Sequence, residues 1–302
     1  MDEIDRSNQQ FGMKGRVAFK AGPGGLTVAE LSHPDGTATV AVHGAHVLTF
    51  QPRGAAPVLW VSRQSRFAAG QPIRGGIPVC WPWFGDHPTD PAKAKHGFAR
   101  LAEWTVRAAG PAPDGATRLE LGLTDSPFTR DLWPFAFDVA LTVSVNAQLR
   151  VSLRVRNTDR QAFTFGAALH TYFHVSDVIR IAIDGLDGCE YLDTVGPVQR
   201  KRQQGRITIA EETDRIYLGT AAACTIEDPG LGRRIRVAKT GSHSTVVWNP
   251  WIAKAKRMPD FGDDEYPEML CVETTNAAED QVTLPPGGEH VLAATLSVEA
   301  CR

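Results

Sequence analysis

The chain has few cysteines, and none of them are clustered. Five cysteines occur in 302 residues, and no two are spaced as C-x-x-C. An odd number of scattered cysteines predicts neither a zinc knuckle nor a disulfide framework. We therefore expect free thiols in a reducing cytoplasm. The five are Cys80, Cys189, Cys224, Cys271 and Cys301.

The chain also lacks a marked excess of either charge and any long apolar run. Lys and Arg total 32 against 34 Asp and Glu, a formal net charge of -2. A nucleic-acid backbone as main partner would require a basic field, which this balance excludes. No apolar run approaches the length of a membrane span, and the N-terminal MDEIDRSNQQ is acidic and polar, unlike a secretory signal. We expect a cytoplasmic protein with no nucleic-acid or membrane partner.

No long helical period, internal repeat or Gly/Ser linker divides the chain, and short alternating runs fill it instead. The segment FDVALTVSVNAQLRVSLRVRN alternates apolar and polar residues on both sides of a turn near Asn146, which predicts a hairpin with one buried face. TATVAVHGAHVLTF predicts two strands that meet near Gly44. The sequence thus predicts an all-β fold, a large sandwich of two antiparallel sheets in a single domain over 25–302. Residues 1–24 are expected to be a tail and lead-in, with the first ten residues loose.

One stretch, from Arg74 to Arg100, has the composition of a binding site. It reads RGGIPVCWPWFGDHP, then a polar insert, then KHGFAR. Gly75 and Gly76 remove side chains where a ligand or another strand comes close. Two arginines in one pocket would repel each other unless an anion lay between them, and the arginine fork suits carboxylate or phosphate. The alternative is a pair of solvated surface arginines beside a buried aromatic cluster.

Three further residues could do chemistry. His170, in ALHTYFHVSD, follows an apolar run, and histidine has the pKa that suits proton donation near neutrality. Glu273, in MLCVETTNA, follows three apolar residues of a buried strand, and a buried carboxylate usually has a purpose. Asp214, in TDRIYLG, precedes an apolar pair. A core histidine, a structural ion pair and a turn-capping aspartate are the alternatives.

The sequence also contains tryptophans near charged clusters and a pair of closely spaced histidines. Trp248 and Trp251 stand beside basic and acidic clusters, as in sugar sites, although they could equally close one end of a sandwich. His43 and His46 only superficially resemble a metal pair, because no carboxylate or thiol completes the set. A histidine acid and a carboxylate base could open a cyclic hemiacetal without a cofactor.

The motifs RGGIPVCWPWFG, HGFAR, LHTYF, TDRIY and VVWNPW…CVETTNA resemble those of the glucose-6-phosphate 1-epimerases within the aldose 1-epimerase superfamily. The resemblance runs from about residue 25 to the C-terminus. It implies a galactose mutarotase-like supersandwich, an open site with neither metal nor organic cofactor, and a small-molecule sugar phosphate as substrate. Family likeness also favours a monomer.

The resemblance implies a role for each motif residue. Glu273 would be the general base at the anomeric hydroxyl, and His170 the general acid at the ring oxygen. Arg74 and Arg100 would hold the 6-phosphate. Other residues would contact the sugar, line the site or shape its wall: Asp214, His96, Trp81 and Phe84.

Lys95 departs from the family pattern. Some members carry a glutamine directly before the HGFAR-type residues, where this chain has Lys95. The lysine could reach the phosphate as a third cation or point to solvent.

The sequence leaves two other functions open. One is a mutarotase of unphosphorylated aldoses, and the other is a non-catalytic sugar-binding sandwich that uses Trp81, Trp83 or Trp251. A glycoside hydrolase would require a second strong carboxylate candidate.

Overall fold

The computed structural model describes residues 2–301, and β-strands dominate it. Three short α-helices are described: α1 (Glu3–Phe11), α2 (Pro127–Leu132) and α3 (Trp251–Ala255). The described strands are β1 (Val17–Ala21), β2 (Thr27–His33), β3 (Gly36–Ala41), β4 (His46–Pro52), β5 (Val79–Cys80), β6 (Thr105–Pro111), β7 (Thr117–Thr124), β8 (Phe137–Val145), β9 (Leu149–Asn157), β10 (Phe163–Phe165), β11 (Ala167–Leu169), β12 (Tyr172–His174), β13 (Ala182–Asp184), β14 (Glu190–Asp193), β15 (Gln199–Arg202), β16 (Thr213–Tyr217), β17 (Cys224–Asp228), β18 (Arg233–Thr240), β19 (Ser244–Asn249), β20 (Met269–Asn276), β21 (Val282–Leu284) and β22 (Glu289–Ala300).

Two eight-stranded antiparallel sheets form the body of the molecule. The first, here the site sheet, has the order β15-β14-β16-β19-β20-β11-β5, with β12 also paired to β20. The second, the back sheet, has the order β13-β17-β18-β22-β9-β8-β7-β6. A large apolar core draws on both, and a four-stranded sheet β1-β2-β3-β4 and the pair β10-β21 complete the fold. The prediction of an all-β antiparallel sandwich is confirmed.

The predicted hairpins are confirmed in detail. β8 pairs with β9 from Phe137 opposite Asn157 to Val145 opposite Leu149. In both strands the alternate apolar side chains are buried and the arginines of β9 face outward. β3 and β4 likewise pair across the turn that contains Gly44. These strands carry the period-2 pattern because one face meets the core and the other meets water.

The expectation of a loose N-terminus is wrong. Helix α1 is capped by Asp2, whose side chain accepts a hydrogen bond from the Asp5 amide. Ile4 and Phe11 pack against the core. The period is hard to see in the sequence because only these two apolar residues, seven positions apart on one helix face, mark it. No helix within residues 2–301 is long and apolar enough to cross a bilayer.

The two glycines after Arg74 bring backbones together. Gly75 has φ 118°, and a Cβ there would lie 2.4 Å from the Val61 Cα. Gly76 has φ 61°, and a Cβ there would lie 2.2 Å from the Val47 carbonyl oxygen. No larger residue could occupy either position without moving a neighbouring backbone. The two glycines therefore allow the Arg74 segment to pack closely against neighbouring backbone segments. The sequence predicted such a close approach at Gly75 and Gly76.

Candidate active site

His170 and Glu273 lie side by side on the site sheet, and we call them the acid–base pair. His170 occupies the short gap between β11 and β12, both of which pair with β20, the strand that carries Glu273. The His170 amide donates to the Pro78 carbonyl at 3.1 Å, which fixes the gap against β5. His170 Nε2 lies 3.4 Å from Glu273 Oε1, and the side chains are 9% and 1% exposed. The two groups are therefore adjacent, at a distance longer than an ordinary hydrogen bond.

Burial pushes both members of the acid–base pair towards their neutral forms. Burial, with the nearby Asp214 carboxylate, raises the pKa of Glu273 well above its ordinary value. Burial, with the positive charges of Arg100 and Arg74, lowers the pKa of His170 well below its ordinary value. Both shifts favour a protonated Glu273 beside a neutral His170. Glu273 Oε2 is buried and has no hydrogen-bond partner among residues 2–301.

Two aromatic rings hold the His170 imidazole. Tyr172 stacks on it with ring centroids 4.7 Å apart and planes 8° from parallel. Trp248 approaches edge-on at 6.1 Å. Tyr172 is 1% exposed and Trp248 is 7% exposed, so both rings form packed walls of the site.

Arg74 lies in the same site but already has partners. Its Nε and Nη2 donate to the Asp260 carboxylate at 3.2 and 3.1 Å, and its Nη1 donates to the Tyr172 hydroxyl at 3.0 Å. Burial disfavours the charge of Arg74, but the Tyr172 and Asp260 contacts outweigh it and raise the pKa. The guanidinium is therefore fixed in place and permanently charged.

Arg100 differs because its charge has no carboxylate partner within residues 2–301. It lies on the 3-10 helix Ala99–Leu101, and its Nη2 donates to the Lys95 carbonyl at 2.8 Å. Its Nε is buried without a hydrogen-bond partner among the described residues. Its positive charge contributes, after burial, to the lowered pKa of both His96 and His170. We call Arg74 and Arg100 the arginine pair.

His96 connects the Arg100 segment to the acid–base pair. Its ring lies 5.8 Å from the His170 ring and 4.9 Å from Phe84, centroid to centroid. Its backbone has φ 64°, an uncommon conformation for a non-glycine residue, and the Gly85 amide donates to its Nδ1 at 3.3 Å. Burial and the neighbouring cations lower its pKa well below the ordinary value. His96 therefore lines the site as a neutral ring.

Asp214 and Lys95 occupy different environments. Asp214, on β16, lies 3.4 Å from Lys254 Nζ, and its charge contributes to the raised pKa of Glu273. It therefore belongs to the neighbourhood of the acid–base pair. Lys95 is 68% exposed and pairs with Asp86 at 2.8 Å. Its ammonium thus lies at the surface, the solvent-facing option left open by the sequence.

The expected role of Trp81 as pocket wall is wrong. Trp81 is fully buried and packs on Phe98, Trp133 and Phe137, with ring centroids 4.6 to 5.6 Å away. Trp83 is 6% exposed in the same core, so neither ring is available as a platform for a sugar. The aromatic stretch therefore serves packing as well as the site, and Phe84 is its member beside His96.

Among the described residues, one group of three side chains could in principle bind a metal ion, and it does not include the HGAH histidines. His43 and His46 each place Nε2 against a backbone carbonyl, of Gln71 at 2.9 Å and of Gly75 at 2.7 Å. Donor atoms of His170, Glu273 and Cys271 lie within 4.8 Å of one another. Burial raises the pKa of the Cys271 thiol well above its ordinary value, and the arginine pair repels cations. The set suits proton transfer better than metal binding.

Sequence reasoning missed two residues that the structure adds to the site. Tyr172 is part of the LHTYF motif, and its position two residues after His170 is a signal that could have placed both on one strand face. Asp260 lies in an acidic loop segment with no local signal, and only the tertiary fold brings it to Arg74.

The family model for aldose 1-epimerases, described as "Aldose 1-epimerase", matches residues 27–297. A curated relative from Escherichia coli strain K12, named "Putative glucose-6-phosphate 1-epimerase", is 36% identical over 257 residues, which cover 85% of each chain. A relative of the same name from Cenchrus ciliaris is 37% identical over 83% of this chain and 78% of its own.

Among solved structures, a protein from Salmonella typhimurium described as "a putative mutarotase (YeaD)" superposes with a TM-score of 0.89 and 32% identity. The superposition covers 97% of this chain and 96% of that one. A galactose mutarotase-like protein from Lactobacillus casei, at 16% identity and a TM-score of 0.72, shares the fold.

Proposed function

This chain belongs to the aldose 1-epimerase family, and on that premise we propose that it is an epimerase acting on hexose 6-phosphates. The reaction would interconvert the α and β anomers, chiefly of D-glucose 6-phosphate. Two relatives at 36% and 37% identity carry the name of that activity. A monomeric cytoplasmic enzyme that needs no cofactor is part of the proposal.

One observation carries the choice of substrate. Arg74 bonds to Tyr172, the ring that stacks on His170, and the charges of both Arg74 and Arg100 act on His170. Arg100 has no carboxylate counter-ion among residues 2–301, and its Nε is buried and unpartnered. A buried cationic donor without a partner is costly unless a ligand satisfies it. A phosphate dianion has the charge and the acceptor oxygens to do so.

The acid–base pair can perform the ring opening. Glu273 removes the proton of the anomeric hydroxyl while His170 donates a proton to the ring oxygen, so the C1–O5 bond breaks and C1 becomes an aldehyde. Rotation about the C1–C2 bond presents the other aldehyde face. The C5 hydroxyl then adds to C1 with the two roles reversed, which restores the proton balance of the enzyme.

This sequence requires the proton of the pair to move from Glu273 to His170 when substrate binds. A bound dianion favours protonation of His170 because it offsets the charges of Arg100 and Arg74, which together with burial lower the pKa of His170 in the free protein. Sugar hydroxyls can at the same time hydrogen-bond to Glu273 Oε2. A phosphorylated substrate would thus help to charge the acid that opens its ring.

Anomer exchange at equilibrium tests the proposal directly. We would measure saturation-transfer NMR rates for glucose 6-phosphate and free glucose with the wild type, R74A and R100A. Removal of a charged hydrogen bond should lower kcat/KM for the phosphorylated sugar about 10- to 100-fold. R206A is the matched control, because Arg206 is a half-exposed arginine paired with Asp184.

The alternative outcomes separate the competing functions. Equal rates on both sugars, unaffected by the arginine variants, would identify a mutarotase of unphosphorylated aldoses with structural arginines. The Arg74–Asp260 ion pair is the observation that favours that alternative. If the protein accelerated anomer exchange of neither sugar, the proposal of an enzyme would be refuted and a sugar-binding module would remain.

A further inference from the structure

Tyr172 contacts one member of each pair, His170 of the acid–base pair and Arg74 of the arginine pair. Its ring lies 4.7 Å from the His170 ring at 8°, and its hydroxyl accepts the hydrogen bond from Arg74 Nη1 at 3.0 Å. We propose that Tyr172 is a positioning residue that couples the anion-binding arginine to the general acid. The inference rests on the proposed function, because it assigns the two contacts to substrate binding and to proton transfer.

The backbone around Tyr172 is fixed on both sides. Its amide donates to the Gly76 carbonyl at 2.9 Å, and its carbonyl accepts from the Trp60 amide at 3.0 Å. The ring stacks on Trp60 at 5.8 Å as well, and the residue is 1% exposed. A side chain held this way has little freedom, so the plane of the His170 ring and the position of Arg74 are set together.

Arg74 is anchored from the opposite side by a second fixed element. Asp260 accepts two of its donors, and the adjacent Phe261 packs on Trp60 at 5.0 Å. Glu265 holds the same loop by accepting from the Ser62 hydroxyl and the Gly262 amide. Arg74 is therefore clamped between Tyr172 and Asp260, and a phosphate would meet a guanidinium already oriented for it.

The two contacts of Tyr172 can be separated by substitution. Y172F removes the hydroxyl and keeps the ring, so Arg74 loses one anchor while His170 keeps its stacking partner. Y172L removes both. Y217F is the matched control, because Tyr217 is a buried tyrosine of the same sheet whose hydroxyl donates to Gln203 at 2.8 Å.

The experiment measures kcat and KM for glucose 6-phosphate and for free glucose. Y172F is expected to raise KM for glucose 6-phosphate about tenfold, with kcat within about twofold, and to raise KM for free glucose less than that, because free glucose has no phosphate for Arg74 to bind. Y172L is expected to lower kcat about tenfold or more with any sugar that the wild type converts. Y217F should match the wild type.

Each result decides part of the proposal. An unchanged KM in Y172F would overturn the coupling to Arg74, and equal kcat values for Y172L and Y172F would overturn the role of the stacked ring. If Y172L does not fold, NMR replaces it: inorganic phosphate should shift the His170 ring protons in the wild type and less in Y172F. Identical shifts would refute the coupling. A wild type inactive on both sugars would instead refute the proposed function.

Discussion

The acid–base pair and the arginine pair adjoin each other but follow opposite physical rules. His170 and Glu273 sit on or between regular strands, nearly closed to solvent, in surroundings that favour neutral forms. Arg74 lies on a bend and Arg100 on a short 3-10 helix, where both side chains are partly exposed. One region disfavours charge and the other supplies it.

This difference indicates how a single small molecule could satisfy both regions. A hexose 6-phosphate is neutral at C1 and anionic at the far end, so its two ends match the two pairs. Within the arginine pair there is a further contrast, since Arg74 has Asp260 as counter-ion and Arg100 has no carboxylate in the described part of the chain. The experiments below test these contrasts, beginning with the largest expected effect.

Glu273→Gln should abolish the chemistry of the acid–base pair and leave the arginine pair intact. We expect kcat to fall about 100- to 10,000-fold, the usual contribution of proton transfer, with KM for glucose 6-phosphate little changed.

The same substitution should change how stability depends on pH. The raised pKa of Glu273 means that the unfolded chain loses this proton at a lower pH than the folded chain does, so wild-type stability declines as pH rises through the folded pKa.

A neutral glutamine removes that decline. The melting temperature of E273Q should therefore exceed that of the wild type by an amount that grows as pH rises above 4.5, the ordinary pKa of a glutamate, as differential scanning calorimetry would measure. Glu279→Gln, on a mostly exposed carboxylate, is the control. A stability difference that does not vary with pH would contradict the neutral state assigned to Glu273.

Separate removal of the two arginines should lower kcat/KM for glucose 6-phosphate by different amounts. R100A is expected to lower kcat/KM for glucose 6-phosphate more than R74A, because Arg100 has no competing carboxylate among residues 2–301. We expect a difference of about 3- to 10-fold between the variants, the size of one ordinary hydrogen bond. Anomer-exchange rates measure it, and a larger loss in R74A would reverse the division of roles.

The buried histidines should make the fold sensitive to acid. The pKa of His170 is lowered from its ordinary 6.5 by burial, Arg100 and Arg74, so below that pH the unfolded chain binds a proton that the folded chain does not. Stability should fall as pH drops, by up to about 1.4 kcal/mol per pH unit for each such group. H170N should reduce the slope between pH 6.5 and pH 5 in urea titrations, whereas a slope equal to that of the wild type would refute this assignment.

Lys95→Ala should have the smallest effect. The ammonium is 68% exposed and pairs with an equally exposed Asp86, and such surface pairs contribute about 0–1 kcal/mol. We expect KM for glucose 6-phosphate to change less than about twofold. A larger increase in KM would place the lysine on the phosphate and extend the cationic region beyond the arginine pair.

The regular part of the molecule could be predicted from the sequence for a physical reason. Strands such as β8 and β9 have one face in the core and one in water, so apolar and polar residues alternate along their sequences. Glu273 was visible for the same reason, as a carboxylate at the end of three apolar residues. His170 was visible through its place beside an apolar run.

What the sequence could not supply depends on contacts between distant segments. Asp260 and Arg74 are 186 positions apart, and no local pattern records that they meet. The burial of Trp81 was misjudged because a stretch rich in Pro and Gly looks like a loop even when its rings fill the core. Helix α1 was missed because it contacts the core through few apolar residues.

That helix has a consequence for how the protein behaves in concentrated solution. β1 is the outer strand of the four-stranded sheet, and the Asn8 side chain bonds both the amide and the carbonyl of Phe19 on it, at 2.8 and 2.7 Å. The amide of Asn8 thus takes the place of a neighbouring strand. A variant that starts after α1 would present an unpaired edge to other molecules, and light scattering should detect its edge-to-edge association.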